Sequence, residues 1–154
     1  MYTQILVAVD GSPVSEAALQ HAIRLAQEQH AKLHFVHVFD VAGILWAETD
    51  EVTEVDLLTI YRHRGEAILS RAVASAKQAG LAATSTLLEE EIIGKRVAEL
   101  LADEAKAVAA DLVVLGSHGH RGLSRLFLGS VAEGAARLCA APVLIVHGPV
   151  PKGG

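Results

Sequence analysis

The chain has 154 residues, about one domain's worth, and 51% of them are hydrophobic against 20% charged, which excludes an intrinsically disordered segment. Its 13 Lys and Arg against 18 Asp and Glu give a net charge of −5, and that balance argues against a dedicated nucleic-acid binder, which must displace phosphate counterions in bulk. A single cysteine, Cys139, excludes an intrachain disulfide.

Ile5 to Val9 is a short apolar, β-branched run that ends in Asp10-Gly11-Ser12-Pro13, and it reads as a buried strand followed by a turn. Pro13 suits a first helical position, with Ser12 as the cap. Leu19, Ala22, Ile23 and Ala26 then recur on one face of a helix. Leu33 to Phe39 is a second strand. The stretch from Val41 to Thr53, with Trp46, is expected to be a locally packed loop, a lid or partner surface being the alternative. A helical pattern runs from Thr53 to Ala79 and stops at Gly80. Ala83 to Leu88 reads as a third strand, Gly94 to Val108 as a helix, and Leu112 to Leu115 as a buried fourth strand. A glycine-bearing segment, Gly116 to Gly129, precedes a helix from Ser130 to about Cys139. Pro142 blocks further helix, and Val143 to Val146 is the fifth strand. The domain is expected over 1–148, with the Pro/Gly-rich 149–154 a flexible tail.

Strict alternation of strand and helix implies right-handed crossovers, hence an α/β fold with one open parallel sheet between helices. Aromatics are only 4% of the chain, so the core is built from Val, Leu, Ile and Ala. That suits a sheet covered on both faces and gives a poor platform for stacking RNA bases. The opening residues lack the basic start and apolar stretch of a signal peptide, and the longest uncharged apolar-rich run, 138–151, is too short and proline-rich to span a bilayer. A cytoplasmic location with no membrane partner is the expectation.

Three features carry chemistry. Asp10-Gly11-Ser12 stands at the carboxyl end of the first strand, where open α/β sheets bind ligands. Asp10 there can bond a ribose hydroxyl or an adenine amino group, or it can serve the turn. Gly116-Ser117-His118-Gly119 stands at the end of the fourth strand, and Gly129-Ser130 at the start of the last helix. Glycines let backbone N–H groups approach a phosphate, and a helix N-terminus adds donors and a favourable dipole. Ser130-Val131-Ala132-Glu133 also fits a capping box with Ser130 as the cap, and the two roles are compatible. The spacing is not a Walker A loop, because no Gly-Lys-Ser/Thr follows.

These residues, together with Ile5-Leu6-Val7-Ala8-Val9 and the closing Ala141-Pro142-Val143-Leu144-Ile145-Val146, resemble the universal stress protein family of the nucleotide-binding type. The resemblance covers nearly the whole chain. It implies a Rossmann-like sheet of order 3-2-1-4-5 and binding of ATP with Mg²⁺. It assigns Asp10 and Gly116 to the ribose, and Ala8 and Val38 to the adenine, Val38 through its backbone. Gly119, Gly129, Ser130 and Val131 are assigned to the phosphates. His120 and Arg121 fall in the variable loop between the glycines, where Arg121 can add a charge-assisted contact to a terminal phosphate or face solvent. The resemblance also implies a homodimer through Val143 to Val146. That strand is short, apolar and free of the charges that usually protect a sheet edge.

The remaining candidates are weaker. His118 and His120 are expected to be solvated rather than metal ligands, since a closed site needs more donors. His34 and His37 are three apart on a strand, so they point to opposite faces. His147 is expected to be exposed, Cys139 to be a small core residue and Glu89-Glu90-Glu91 to be a solvated loop. The expected function is an ATP-binding stress-response or signalling module with an unknown protein partner and no catalytic residue. The alternatives are a slow ATP hydrolase using the same site and a dimeric interaction protein with a vestigial site.

Overall fold

A computed structural model of the chain describes residues 1–41, 54–90, 96–118 and 128–148. Along them run β1 (Gln4–Ala8), α1 (Pro13–Gln29), β2 (Lys32–Asp40), α2 (Glu54–Gln78), β3 (Ala83–Glu90), α3 (Val97–Ala107), β4 (Leu112–Gly116), α4 (Ser130–Leu138) and β5 (Val143–Val146). The strands form one parallel sheet in the order β3-β2-β1-β4-β5. The α/β architecture and the strand order agree with expectation.

Strand periodicity divides the core in two. Ile5 and Val7 of β1, Leu33 and Phe35 of β2, and Leu112 and Val114 of β4 face one side, where they meet Ala18, Leu19 and Ala22 of α1 and Leu69, Ala72 and Ala76 of α2. Their neighbours Leu6, Val36, Val113 and Leu115 face the other side and meet Leu101 and Ala105 of α3 and Ala132 and Ala135 of α4. Each fully buried Leu, Ile, Val or Phe stabilises the fold by about 1.5–3 kcal/mol. Strands buried on both faces read as continuous apolar runs for this reason.

The start of α1 is built as its sequence indicates. Ser12 is the N-cap, its hydroxyl accepts from the Ser15 N–H, and Pro13 opens the helix. Several boundaries differ from the sequence reading. Strand β2 runs one residue further at each end, and β3 continues to Glu90. Glu89 and Glu90 are therefore not in a solvated loop. They pair in register with Phe39 and Asp40 because the longer β2 offers them partners, and the Glu89 carboxylate accepts from Arg62 Nε at 2.9 Å. Helix α3 is described from Val97, with residues 91–95, including Glu91, outside the described residues. The Val41–Thr53 expectation also falls on undescribed residues from 42 onward.

A buried polar group ties the second face together. His34 is 5% exposed, with its Nδ1 2.7 Å from the Thr84 hydroxyl and its Nε2 2.9 Å from Glu104 Oε1. The carboxylate only accepts, so Nε2 carries hydrogen and, in the neutral ring, the Thr84 hydroxyl donates to Nδ1. The bonds link β2, β3 and α3.

At the amino edge of the sheet, Asp111 latches β1 to β4. Its carboxylate accepts from the Thr3 N–H at 2.8 Å, the Thr3 hydroxyl at 2.7 Å and the Gln4 N–H at 3.0 Å. Burial pulls the Asp111 pKa up, but the Thr3 hydroxyl and the surrounding backbone N–H groups outweigh it and hold the carboxyl below its ordinary value. A carboxyl whose folded pKa is depressed contributes stability above the unfolded value, near 3.8, and loses it as pH falls through the folded value. Asp111→Ala is expected to cost about 1–2 kcal/mol at pH 7, the scale of lost charged hydrogen bonds. Urea unfolding as a function of pH checks this: the difference between the two proteins should shrink below pH 4, and a constant difference would show that the latch acts without its charge.

Candidate functional site

Strand order reverses beside β1: the chain leaves β1 towards β2 on one side, and β4 pairs on the other. The crevice beyond the carboxyl ends of β1 and β4 is where this topology places ligands. Asp10 follows β1 there, and Gly116 is the last residue of β4.

The Asp10 turn is tightly bonded. Asp10 Oδ1 accepts from the Ser12 N–H at 2.8 Å, and the Asp10 N–H donates to the Ser15 hydroxyl at 3.0 Å. Gly11 between them has φ +79°, the left-handed region that glycine enters at no steric cost. The turn role of Asp10 is thus realised. A carboxylate has roughly four acceptor sites, so the turn bond and a bond from a ribose hydroxyl are not mutually exclusive.

On the other side of the crevice, the end of β4 is fastened to its neighbours. The Ser117 N–H donates to the Val146 carbonyl at 2.9 Å, and the Gly129 N–H donates to the Ser117 carbonyl at 2.7 Å. The second bond brings the start of α4 back to the end of β4. Ser117 is 2% exposed, and its hydroxyl lies 3.1 Å from His118 Nδ1. Gly129 packs so closely that an added Cβ would lie 3.2 Å from the His118 Cα and 3.3 Å from the Ser117 carbonyl oxygen.

Helix α4 begins one residue earlier than a Ser130 cap requires. Gly129 is the N-cap, its carbonyl accepts from the Glu133 N–H at 3.0 Å, and Ser130 is the first helical residue. The Ser130–Glu133 capping box is therefore not formed. The fastening of Gly129 to Ser117 fixes the cap position, and a glycine cap has no side chain to occupy the first-turn N–H groups. Such a terminus is an anion-binding arrangement. Ser130 and Val131 lie on its first turn, and Val131 packs partly against the second core cluster.

Ala8 and Val38 share the sheet face covered by α3 and α4, both partly buried against the second cluster. Gly119, His120 and Arg121 lie outside the described residues. His147 is exposed, as expected. Cys139 is half-buried rather than enclosed, packs against the second cluster, and has its thiol pKa pushed up by burial. A cleft of about 390 Å³ lies between α1 and α2 and is lined in part by Gly11, Ile68, Arg71 and Ser75. It contains none of the residues expected to contact a ligand.

The universal stress protein family model matches residues 1–147. The chain belongs to the universal stress protein family. It is 33% identical to universal stress protein YxiE of Bacillus subtilis over 155 aligned residues, covering 96% of this chain and all of that one. A family protein from Burkholderia pseudomallei has a similar structure, with TM-score 0.74 and 33% identity over 94% of this chain and 95% of that one. A universal stress protein solved in complex with cAMP has TM-score 0.69 and 27% identity over 96% and 99% of the two chains. One from Archaeoglobus fulgidus in complex with dAMP has TM-score 0.64 and 25% identity over 94% and 98%. Among the described residues of this universal stress protein, no helix is long and apolar enough to cross a membrane.

Sequence reasoning set His37 on the face opposite His34 but missed its contact: its Nδ1 lies 2.7 Å from the carbonyl oxygen of Val9, the residue before Asp10. Only the pairing of β1 with β2 brings these positions opposite one another, and one sequence carries no sign of that register.

The closeness of α1 to the end of β4 gives a direct test. A Cβ on Gly116 would lie 2.7 Å from Cγ1 of Val14 and 3.3 Å from the Val14 carbonyl carbon. Val14 is buried and β-branched, so its side chain has little freedom to yield. Gly116→Ala is expected to destabilise the protein by about 1–3 kcal/mol through overpacking. Denaturant midpoints measure it, and an unchanged midpoint would show that α1 accommodates the methyl group.

Proposed function

We propose that this universal stress protein binds ATP with Mg²⁺ in the crevice at the ends of β1 and β4 and acts as a homodimeric stress-response module. The observation that carries the reading is the start of α4. A glycine N-cap, bonded back to the end of β4, leaves the first-turn N–H groups of Ser130 and Val131 without a side-chain cap. Asp10 stands across the crevice for the ribose, and Ala8 and the Val38 backbone stand beside the base. Gly119, His120 and Arg121 complete the phosphate loop in this reading. The cAMP and dAMP complexes of the relatives support an adenine nucleotide as the ligand.

The donor set suits a nucleotide that brings its own cation. Mg²⁺ is usually held by phosphate oxygens, waters and one or two carboxylates rather than by an all-protein cage. Among the described residues no group of three or more His, Cys, Asp or Glu is arranged to hold a metal. When bound, Mg²⁺ would neutralise phosphate charge beside the amino end of α4.

Calorimetric titration with ATP, AMP and cAMP tests the site. ATP is expected to bind saturably and more tightly than the other two. Gly129→Glu should abolish binding, because its carboxylate enters the phosphate space and repels it. Gly129→Gln, of similar size and uncharged, separates repulsion from crowding and should retain measurable affinity. Full affinity in both variants would remove the start of α4 from the site.

The position of β5 supports the dimer. It is an edge strand, and each residue from Val143 to Val146 remains only half-buried in the single chain. A second copy pairing there about a two-fold axis would cover that apolar edge. Leu144→Lys and Ile145→Pro are expected to convert the dimer to monomer or aggregate in light scattering. A monomeric parent chain at micromolar concentration, or intact dimers in both variants, would place the interface elsewhere.

A further inference from the structure

We propose that His37 is a positioning residue of the nucleotide site: its imidazole takes the Val9 carbonyl, ends the β1–β2 ladder, and leaves the Val38 N–H for a ring nitrogen of the bound base. The proposal rests on the nucleotide reading above and deepens it.

The ladder fixes which groups point where. The Lys32 N–H donates to the Thr3 carbonyl, so even-numbered residues of β2 direct their amides towards β1. The Leu33 N–H donates to the Ala82 carbonyl, so odd-numbered ones direct theirs towards β3. Residues pair as Val7↔Phe35 and Ala8↔Val36, which sets Val9 opposite His37. In a parallel ladder, a residue in the position of Val9 donates its N–H to the residue before its opposite number and accepts from the one after. The first half of that rung is present, from the Val9 N–H to the Val36 carbonyl at 2.9 Å. The second half, from the Val38 N–H to the Val9 carbonyl, is not made, and β1 ends at Ala8. In its place His37 Nδ1 lies 2.7 Å from the Val9 carbonyl oxygen. A carbonyl only accepts, so Nδ1 carries the hydrogen.

Two consequences follow for the site. Strand β2 continues to Asp40 on its pairing with β3, so the Val38 amide keeps its orientation after its β1 partner has gone. It faces the space beyond β1, where a heteroaromatic base with an acceptor nitrogen can take the vacant rung. The same imidazole bond anchors the last residue before Asp10, so the base-binding amide and the ribose-binding carboxylate are held by one side chain.

Gly65 points independently to the same ring. It lies in the interior of α2, a helix of 25 residues, where glycine costs about 1 kcal/mol relative to alanine. A Cβ there would lie 2.8 Å from Cδ2 of His37 and 2.7 Å from Cδ1 of Leu87. The missing side chain is the space in which the imidazole lies.

Nitrogen-15 NMR of the full chain tests the arrangement without ligand. The expected wild-type result is a His37 ring with its hydrogen on Nδ1 and a Val38 amide that exchanges with solvent much faster than that of Val36. His37→Phe keeps a ring and loses the donor, and it should weaken ATP and AMP binding by about five- to tenfold, the scale of one hydrogen bond. His37→Asn, which can place an N–H near the Nδ1 position, should recover most of that loss. Gly65→Ala favours the helix but displaces the ring, and should weaken binding as His37→Phe does. A hydrogen on Nε2 alone, a Val38 amide as protected as Val36, or unchanged affinity in both His37→Phe and Gly65→Ala would overturn the proposal. If the wild-type chain binds no adenine nucleotide, the nucleotide reading fails by that result. The tautomer and the Val38 exchange rate, which need neither ligand nor variant, still decide whether His37 ends the ladder.

Discussion

Strand β1 is hydrogen-bonded along both edges and buried on both faces, and the rest of the molecule is arranged around that constraint. Ile5, Leu6 and Val7 are fully buried, with β2 on one side and β4 on the other. A strand in this position has only its two ends left, and the Asp111 carboxylate occupies the amino end. The strand order reverses beside β1, and the chain diverges there: β1 leads into α1 on one face, and α4, which follows β4, lies on the other. Among the described residues the helices then follow from the alternation of the strands, two to each face.

Close backbone approach is what shapes the carboxyl edge. The end of β4 comes so near to α1 that Gly116 has Val14 where a side chain would be, and Gly129 is drawn onto Ser117 by a backbone bond. That bond sets the first residue of α4 and so the direction in which its N-terminal N–H groups point. The other edge of the sheet is secured differently, by the Asp111 carboxylate on Thr3 and on Gln4, the first residue of β1. One end of β1 is thus held by a charged latch, and the other by the Asp10 turn and the His37 ring.

The two histidines of β2 show how alternation assigns different work to similar residues. His34 faces α3 and satisfies itself among Thr84, Thr86 and Glu104, a polar cluster that reaches from the second core layer out to the exposed Thr84. His37 faces α2 and bonds a backbone carbonyl at the edge of the crevice. Three residues of separation on a strand put them on opposite faces, and the neighbours available on each face decide the rest.

The sequence by itself determined the alternation of strands and helices, the buried character of β1 and β4, the Ser12 cap and the glycine positions that mark the family. These are local properties: period, β-branching, cap chemistry and spacing along the chain. Element ends were less legible, because pairing decides them. Glu89 and Glu90 look like solvated loop until β2 presents Phe39 and Asp40 beside them, and Ser130 looks like a cap until Ser117 draws Gly129 into that place. The role of His37 needed the register of β1 against β2 and the bare face of α2 at Gly65. Only the tertiary structure decided these points, because each depends on a contact between residues distant in the chain, and one sequence records the residues without recording which of them meet.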